Sequence, residues 1–524
     1  MNDISISTID LTIIGLYFVV VLIIGFWVAK KTETGDDLFL AGRSLGFGAI
    51  GFSLFASNIS STTLIGLSGA AYSTGISVSN YEWMAAVVLV FMAVVYLPLY
   101  LKSRITTVPE FLELRFDRRS RLYFSAITVV LSIVVDTAGG LYAGALVLKV
   151  FWPDLVIWQT CVVLAVVAGL YTAAGGLKAV VYTDVIQAVV LILGTALMTW
   201  LIFAEFDFSW AAATAGLPEG QLSLIRPLDD PGLPWFGTLT IVPVLGFWYW
   251  ATNQYITQRV LGAKNLEHAR WGAMLGGGLK LLPLFIMVLP GAMAINLLPE
   301  RLDNPDMVFP TLVTQYLPIG VIGLVLAGLI AAIMSSVDST LNSASTLIVH
   351  DFIEPHHPEF RPEKVGTYGR VTTLILMVVA AAWAPFIAEM GGLFAYLQQA
   401  FSIIVPPVAV IFLVGVFWRG ATPGGAFYTL LIGHAIGLVI LVLRVNGAIT
   451  VHFTYTAFLL LVISLVIFVV ASKRTAQKPA AEFEELIWKP EMARPERPVP
   501  IWKDYRYQGA VVLILTLWML VVFW

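Results

Sequence analysis

Apolar residues run through this chain in long blocks, not in the alternating or one-in-four patterns of water-soluble strands and helices. Fourteen stretches carry little or no charge, at about 10–29, 45–75, 82–102, 121–150, 155–173, 180–203, 235–257, 272–297, 315–346, 368–388, 393–418, 423–444, 451–472 and 507–524. A bilayer core about 30 Å thick needs about 20 apolar residues per helix, so each stretch predicts a crossing. The separators are short except at 204–234 and 298–314, rich in Pro, Gly and Asp, and at 473–506, a proline-rich polar linker. The first stretch follows Asp3 and carries Asp10, and Lys30-Lys31 close it. It lacks the basic start of a secretory signal and reads as an anchor whose N-terminus is outside.

The basic residues set the orientation, because they collect in cytoplasmic loops. With residue 1 outside, 25 of the 30 Lys and Arg fall in inward loops, four fall outside and Lys280 lies within a span. Both termini are therefore expected outside. Composition agrees: 59% of the 524 residues are hydrophobic and 12% are charged, against about 45–50% and about 25% in soluble domains. A soluble enzyme, a disordered scaffold and, at a net charge of −3, a nucleic-acid binder are excluded. The single cysteine, Cys161, excludes a disulfide framework and a thiolate metal cluster.

This is an all-α polytopic membrane protein in which two blocks of five spans can form an inverted repeat. Residues 1–44 hold an extra helix and the first cytoplasmic loop, 45–203 the first block, 204–234 an outer loop and 235–418 the second block. Two further helices at 419–472, the linker 473–506 and a last helix at 507–524 follow. Each block opens with a helix that invites a break. The first has Gly46-Phe47-Gly48 and then the polar run Ser57 to Thr63; the second has Gly246 to Gln254 with Thr252-Asn253-Gln254 at its end. Polar groups at membrane depth are tolerated where they line a cavity or coordinate something, although Gly and Ser also serve helix packing.

Charged groups at mid-bilayer cost roughly 2.5–3.5 kcal/mol each on insertion scales and mark function by default. Those in the spans are Glu82, Asp136, Asp184, Lys280 and Asp338. Ser335, Ser336 and Ser339 share one helix face beside Asp338. With carbonyls freed by a broken helix they suit a monovalent cation such as Na⁺; alternatively they bond back to their own helix. Lys280, Glu82, Gln398 and Asn253, on four spans, suit a ligand with many hydroxyls, or Lys280 and Glu82 simply pair. His434 and His452 read as core residues. No nucleophile–base pair, metal cluster or ATP-binding Gly-x-x-x-x-Gly-Lys-Ser segment is present in the sequence, so neither an enzyme nor a directly ATP-driven pump is expected.

The chain resembles the sodium/solute symporter family, within it the sodium/glucose and sodium/galactose cotransporters. The resemblance rests on Asp37–Ser44, Ala56–Ser60, Ser79–Met84, Thr107–Phe111, Gly175–Gln187, Asn253–Arg259, Leu279-Lys280 and Tyr396–Gln398, in that order. It implies the five-plus-five inverted fold with a broken first helix in each repeat. It implies a Na⁺ site from the carbonyls of Ala56, Ile59 and Ala332 and the hydroxyls of Ser335 and Ser336. A second Na⁺ would use Asp184, Asp338 and Ser339; sugar-transporting relatives usually carry a small neutral residue at 338, which leaves one or two ions open. Sugar-contacting positions correspond to Thr63, Glu82, Ala85, Gly246, Lys280 and Gln398, with Thr63, Ala85 and Gly246 smaller than in a related galactose carrier. Tyr249 matches an aromatic that stacks on the sugar and blocks its inward exit, and Leu67, Tyr81 and Phe394 match an outer lid. Asp136 stands where relatives carry a neutral or basic residue and has no assigned role.

The expected function is sodium-coupled import of a monosaccharide, a hexose such as galactose or glucose, across the inner plasma membrane. The alternatives are another polyol such as inositol, a small carboxylate, or a channel or sensor of the same fold. Glu82 beside Lys280 would repel a carboxylate. The expected partners are the sugar, the coupling Na⁺ and the bilayer, and one copy suffices for transport, with oligomers left open.

Overall fold

The computed structural model describes residues 6–29, 35–152, 154–298, 301–356, 364–389, 393–495 and 497–524. Among them the chain is helical, with two isolated bridges, Leu45–Ala263 and Arg226–Pro234, and no sheet. Helices dominate because a backbone in lipid must satisfy its own amides and carbonyls.

α1 (Thr8–Ala29) is followed by α2 (Phe47–Asn58) and α3 (Ser61–Thr74). α4 (Asn80–Ser103) and the short α5 (Val108–Arg115) come next. α6 (Arg118–Leu131) and α7 (Ala138–Phe151) are joined by a π-turn over Ser132–Thr137. α8 is Ile157–Ala204, α9 Trp235–Phe247, α10 Gln254–Leu261 and α11 Leu266–Leu279. α12 (Leu289–Leu297), α13 (Val321–Leu347), α14 (Val365–Trp383) and α15 (Leu393–Phe417) complete the part that surrounds the site. α16 (Pro423–Val445), α17 (Phe453–Arg474) and α18 (Tyr505–Val522) follow.

Ten helical segments among the described residues are long and apolar enough to cross a membrane, and α2 with α3, bent by 55°, makes eleven. The first expected stretch lies in α1, the fifth and sixth both lie in α8, and the seventh is cut by a π-turn over Trp248–Thr252. The turn expected near Lys178 is not seen: α8 runs on for 48 residues, roughly 72 Å at 1.5 Å per residue. Gly175-Gly176 weaken a helix by about 1 kcal/mol each, but no proline ends it there.

α2 lies against α8, α11 and α13, and α13 against α8. Small residues bring α2 and α11 together: a Cβ on Gly51 would lie 2.7 Å from Leu275, and one on Gly272 2.6 Å from Ile50. His434 is a core residue as expected, its ring nitrogens meeting the Tyr123 hydroxyl at 3.2 Å and the Ile404 carbonyl at 3.0 Å. His452 caps α17.

Three arginines counted above with inward loops, Arg115, Arg259 and Arg270, are wholly buried. The Thr107/Glu110 capping box starts α5, and Arg115 ends it by donating to the carbonyls of Gly415 (2.8 Å), Trp418 (3.0 Å) and Ala421 (3.2 Å). Arg115→Ala removes the donor to the Gly415 carbonyl, while the Trp418 and Ala421 carbonyls keep the Ala421 amide at 3.2 Å and the Gln477 amide at 2.8 Å, so it is expected to lose about 1–3 kcal/mol, read as a lower Tm of the detergent-purified protein. An unchanged Tm would show that Arg115 does not secure this corner.

Candidate functional site

The site begins where α2 ends. Ile59 (φ −79°, ψ 77°) leaves the helical region and Ser60 caps α3 with its hydroxyl. The Ser60 amide turns to the Asn58 carbonyl at 2.9 Å, and the Thr63 amide to the Ser60 hydroxyl at 3.3 Å. In an unbroken helix those two amides would bond the carbonyls of Ala56 and Ile59. The break therefore frees the Ala56 and Ile59 carbonyls, the two expected at the Na⁺ site, from those helical bonds; irregular backbone at membrane depth is tolerated where it is buried in protein or lines a cavity. Thr63 spends its own hydroxyl on the Asn58 carbonyl at 2.6 Å.

α13 faces this break. Its Ser335 hydroxyl donates to Asp184, which leaves the oxygen lone pairs of Ser335 free to bind a cation. The Ser336 hydroxyl is enclosed with no partner among the described residues. Ala332 is buried within the continuous α13, so its carbonyl offers only a second lone pair.

The second break follows the π-turn after α9, where Asn253 is extended (φ −73°, ψ 125°) and caps α10 by accepting from the Tyr255 amide. π-Turns of this kind are frequent at functional sites. Three of the polar residues that follow have work in the fold, whereas the buried Thr257 hydroxyl has no partner among the described residues. Gln254 accepts from the Val108 amide at 2.7 Å, Gln258 donates to the Phe39 carbonyl, and the Tyr255 hydroxyl donates to Tyr249. Asn253 thus spends its Oδ1 on the helix end.

A cavity of about 170 Å³ lies between the two breaks, smaller than the roughly 300–1,000 Å³ of pockets for drug-sized ligands. Of the expected substrate positions, Thr63, Glu82, Gly246, Tyr249 and Gln398 line it, as do the lid residues Leu67 and Tyr81. Trp248, Trp250 and Tyr255 add aromatic wall. Ala85 is buried in α4 behind the lining. Lys280 is also buried and reaches the cavity through two lining residues, donating to Glu82 and Asn58. Its ammonium lies 5.4 Å from the Trp250 ring centre. The side chain of Phe394 lies outside the described residues.

Behind the Na⁺ candidate, buried Asp184 gathers four side chains. Ser53, Ser57 (3.2 Å), Ser335 and Arg259 (3.2 Å) all reach it. Arg259 also donates to Ser339 at 2.6 Å and to Ser53 at 2.8 Å. A guanidinium thus touches two of the three residues expected at a second Na⁺, Asp184 and Ser339, and supplies the positive charge there; Asp338 is buried one turn along from Ser335. Sequence reasoning missed Arg259 because it follows an apolar stretch and reads as a loop cation. It missed Asn58 because a lone amide in a serine-rich run carries no spacing signal.

The sodium:solute symporter family has a sequence profile that matches residues 38–433. The zebrafish protein "Sodium/glucose cotransporter 4" is 33% identical over 541 residues, covering 93% of this chain and 82% of that one. Human "Sodium/myo-inositol cotransporter 2" is 36% identical over 471 residues, covering 83% and 70%. Among solved structures, a Na⁺-coupled sialic acid symporter in a substrate-bound outward-open state aligns with a TM-score of 0.79 at 22% identity, covering 90% of this chain and 99% of that one. A nucleobase-cation-symport-1 family transporter in a closed conformation gives 0.54 at 16% identity, covering 87% and 98%.

Removing one member of a buried ion pair strands the other and costs about 3–5 kcal/mol. Arg259→Met is expected to lower the Tm sharply, and Asp184→Asn added to it to restore much of the loss. Additive losses in the double variant would show that the two groups are not coupled.

Proposed function

The chain belongs to the sodium:solute symporter family, and on that premise we propose that it imports a monosaccharide with Na⁺ by alternating access. It is a multi-pass membrane protein and a sodium-coupled solute symporter; the sugar, the ion site and the orientation are our reading. The observation that carries it is the pair of breaks, α2/α3 and α9/α10, which put released carbonyls, the Ser336 hydroxyl and a polar, aromatic-walled cavity side by side. The cation bias supports both termini on the outer side of the inner membrane. The similarity in fold to the two aligned symporters supports an inverted five-plus-five repeat in 45–203 and 235–418.

In this reading Na⁺ binds first, held by the carbonyls of Ala56, Ile59 and Ala332 and by Ser335 and Ser336. Its charge draws α2 and α13 together and so holds the outer half of the site in its binding shape. The sugar then lies between Glu82 and Gln398, oriented by the Lys280–Glu82 pair, with Leu67 and Tyr81 closing above it. Tyr249, held by Tyr255, blocks the way inward. Loss of Na⁺ to the cytoplasm relaxes α2 against α13 and frees Tyr249 to move. Each charge that crosses 100 mV supplies about 2.3 kcal/mol, or roughly 40-fold accumulation at about 1.4 kcal/mol per tenfold.

A cyclic polyol is the second reading. The myo-inositol cotransporter is as similar as the glucose cotransporter, and both solutes present a ring of hydroxyls to the same donors and acceptors. The deciding experiment is uptake into proteoliposomes driven by a Na⁺ gradient against hexoses, inositols and monocarboxylates. Accumulation of a hexose in Na⁺ and not in choline supports symport of sugar; accumulation of none of them refutes it. Ser336→Ala is expected to raise the half-saturating Na⁺ about tenfold or more, as loss of one ligand at about 1.4 kcal/mol, while the order of preferred sugars stays the same. Gln398→Ala is expected to raise the sugar KM with little change in Na⁺ activation. Unchanged Na⁺ activation in the first, or unchanged KM in the second, would remove that residue from the site.

A further inference from the structure

The cavity wall carries one carboxylate that the proposed mechanism leaves unused. Asp136 sits on the π-turn between α6 and α7 and lines the cavity. The turn is pinned by Thr137, whose hydroxyl meets the Ser132 carbonyl and the Thr340 hydroxyl, both at 2.6 Å. The Oδ2 of Asp136 is enclosed and has no hydrogen-bond partner among the described residues. Two hydroxyls of the wall are committed elsewhere, since Tyr255 donates to Tyr249 and Thr340 to carbonyls of its own helix; the Ser132 and Ser336 hydroxyls are unpartnered among the described residues but do not bond Asp136.

The charge balance of the wall makes this oxygen informative. Glu82, the other carboxylate on the cavity, is bonded to Lys280, so that pair is neutral as a unit. Asp136 forms no ion pair among the described residues, so nothing balances the charge it carries when ionised. An enclosed acceptor without a donor costs about 1–3 kcal/mol, more when charged, and a ligand that brings a hydroxyl proton recovers it. A ligand carboxylate would instead meet like charge in a low-dielectric cavity.

We propose that Asp136 is a specificity-determining substrate contact that accepts a hydrogen bond from a hydroxyl of an uncharged sugar or polyol and excludes sugar acids. This deepens the symport reading above and rests on it. A site built to take a donor rejects analogues that lack one far more strongly than a site built on shape.

The test uses the full chain in proteoliposomes, as wild type, Asp136→Asn and Asp136→Ser, with D-galactose, myo-inositol and D-galacturonate as probes. The wild type is expected to accumulate at least one neutral probe and to ignore galacturonate, present or as competitor. Both variants are expected to raise the KM for the neutral probe about tenfold or more, as loss of a hydrogen bond to a charged group implies, while half-saturating Na⁺ stays within about twofold. Retained Na⁺ activation shows that a variant is folded, and the second variant serves if the first does not fold. An unchanged neutral-probe KM in a folded variant, or galacturonate uptake by the wild type, overturns the proposal. Failure of the wild type to accumulate any probe overturns the symport reading and this proposal with it, and it is read before any variant is made.

Discussion

A carboxylate buried at membrane depth must be matched or it is lost, and Asp184 is matched from three other helices at once. Ser53 and Ser57 reach it from α2, Arg259 from α10 and Ser335 from α13, while Asp184 itself stands on α8. The isolated charge would cost several kcal/mol, so none of these contacts can be given up cheaply. Because α2 ends at the first break and α10 starts at the second, this one group ties both broken helices to α13. The geometry of the carbonyls of Ala56 and Ile59 depends on that joint.

In the proposed mechanism the same joint is what lets a single cation govern so much structure. Serine hydroxyls and released carbonyls are weak ligands singly, and they bind Na⁺ only when several converge. Ser335 is held by Asp184 and the Ser336 hydroxyl has no partner among the described residues, so in the proposed site one hydroxyl orients the helix and the other is available to an ion. Arg259 meanwhile supplies a fixed positive charge at Asp184 and Ser339, where a second ion would otherwise add one. On the far side of the break, Lys280 and Glu82 neutralise each other against the cavity wall. Asp184–Arg259 and Lys280–Glu82 are thus two paired units beside the cavity, and Asp136 belongs to neither.

Much of this was legible in the chain itself, for identifiable reasons. The spans follow from blocks of apolar residues, and the first break from a polar run too hydrophilic to face lipid. Ser335 and Ser336 were visible as a helix face, and Glu82 and Lys280 as charges in apolar company. What was hidden is tertiary. Thr63 reads as a sugar contact, yet its hydroxyl closes the break in α2. Asn253 reads as a ligand group, yet it caps α10. Arg259 reads as a loop cation and is wholly buried, because only the fold brings it to Asp184, 75 residues earlier. The turn expected at Lys178 rested on one charge between two apolar stretches, and one charge does not end a helix.

The central claim is that a cation between the α2/α3 break and α13 and a solute in the adjoining cavity stabilise the same arrangement of helices. Linked sites must change each other's affinity by the same factor. Calorimetric titration of the purified protein with its transported solute, in Na⁺ and in choline of equal ionic strength, measures one side of that linkage; titration with Na⁺, with and without the solute, measures the other. The account requires tighter solute binding in Na⁺ and an equal gain in Na⁺ affinity when solute is present. Equal solute affinity in Na⁺ and choline would contradict it.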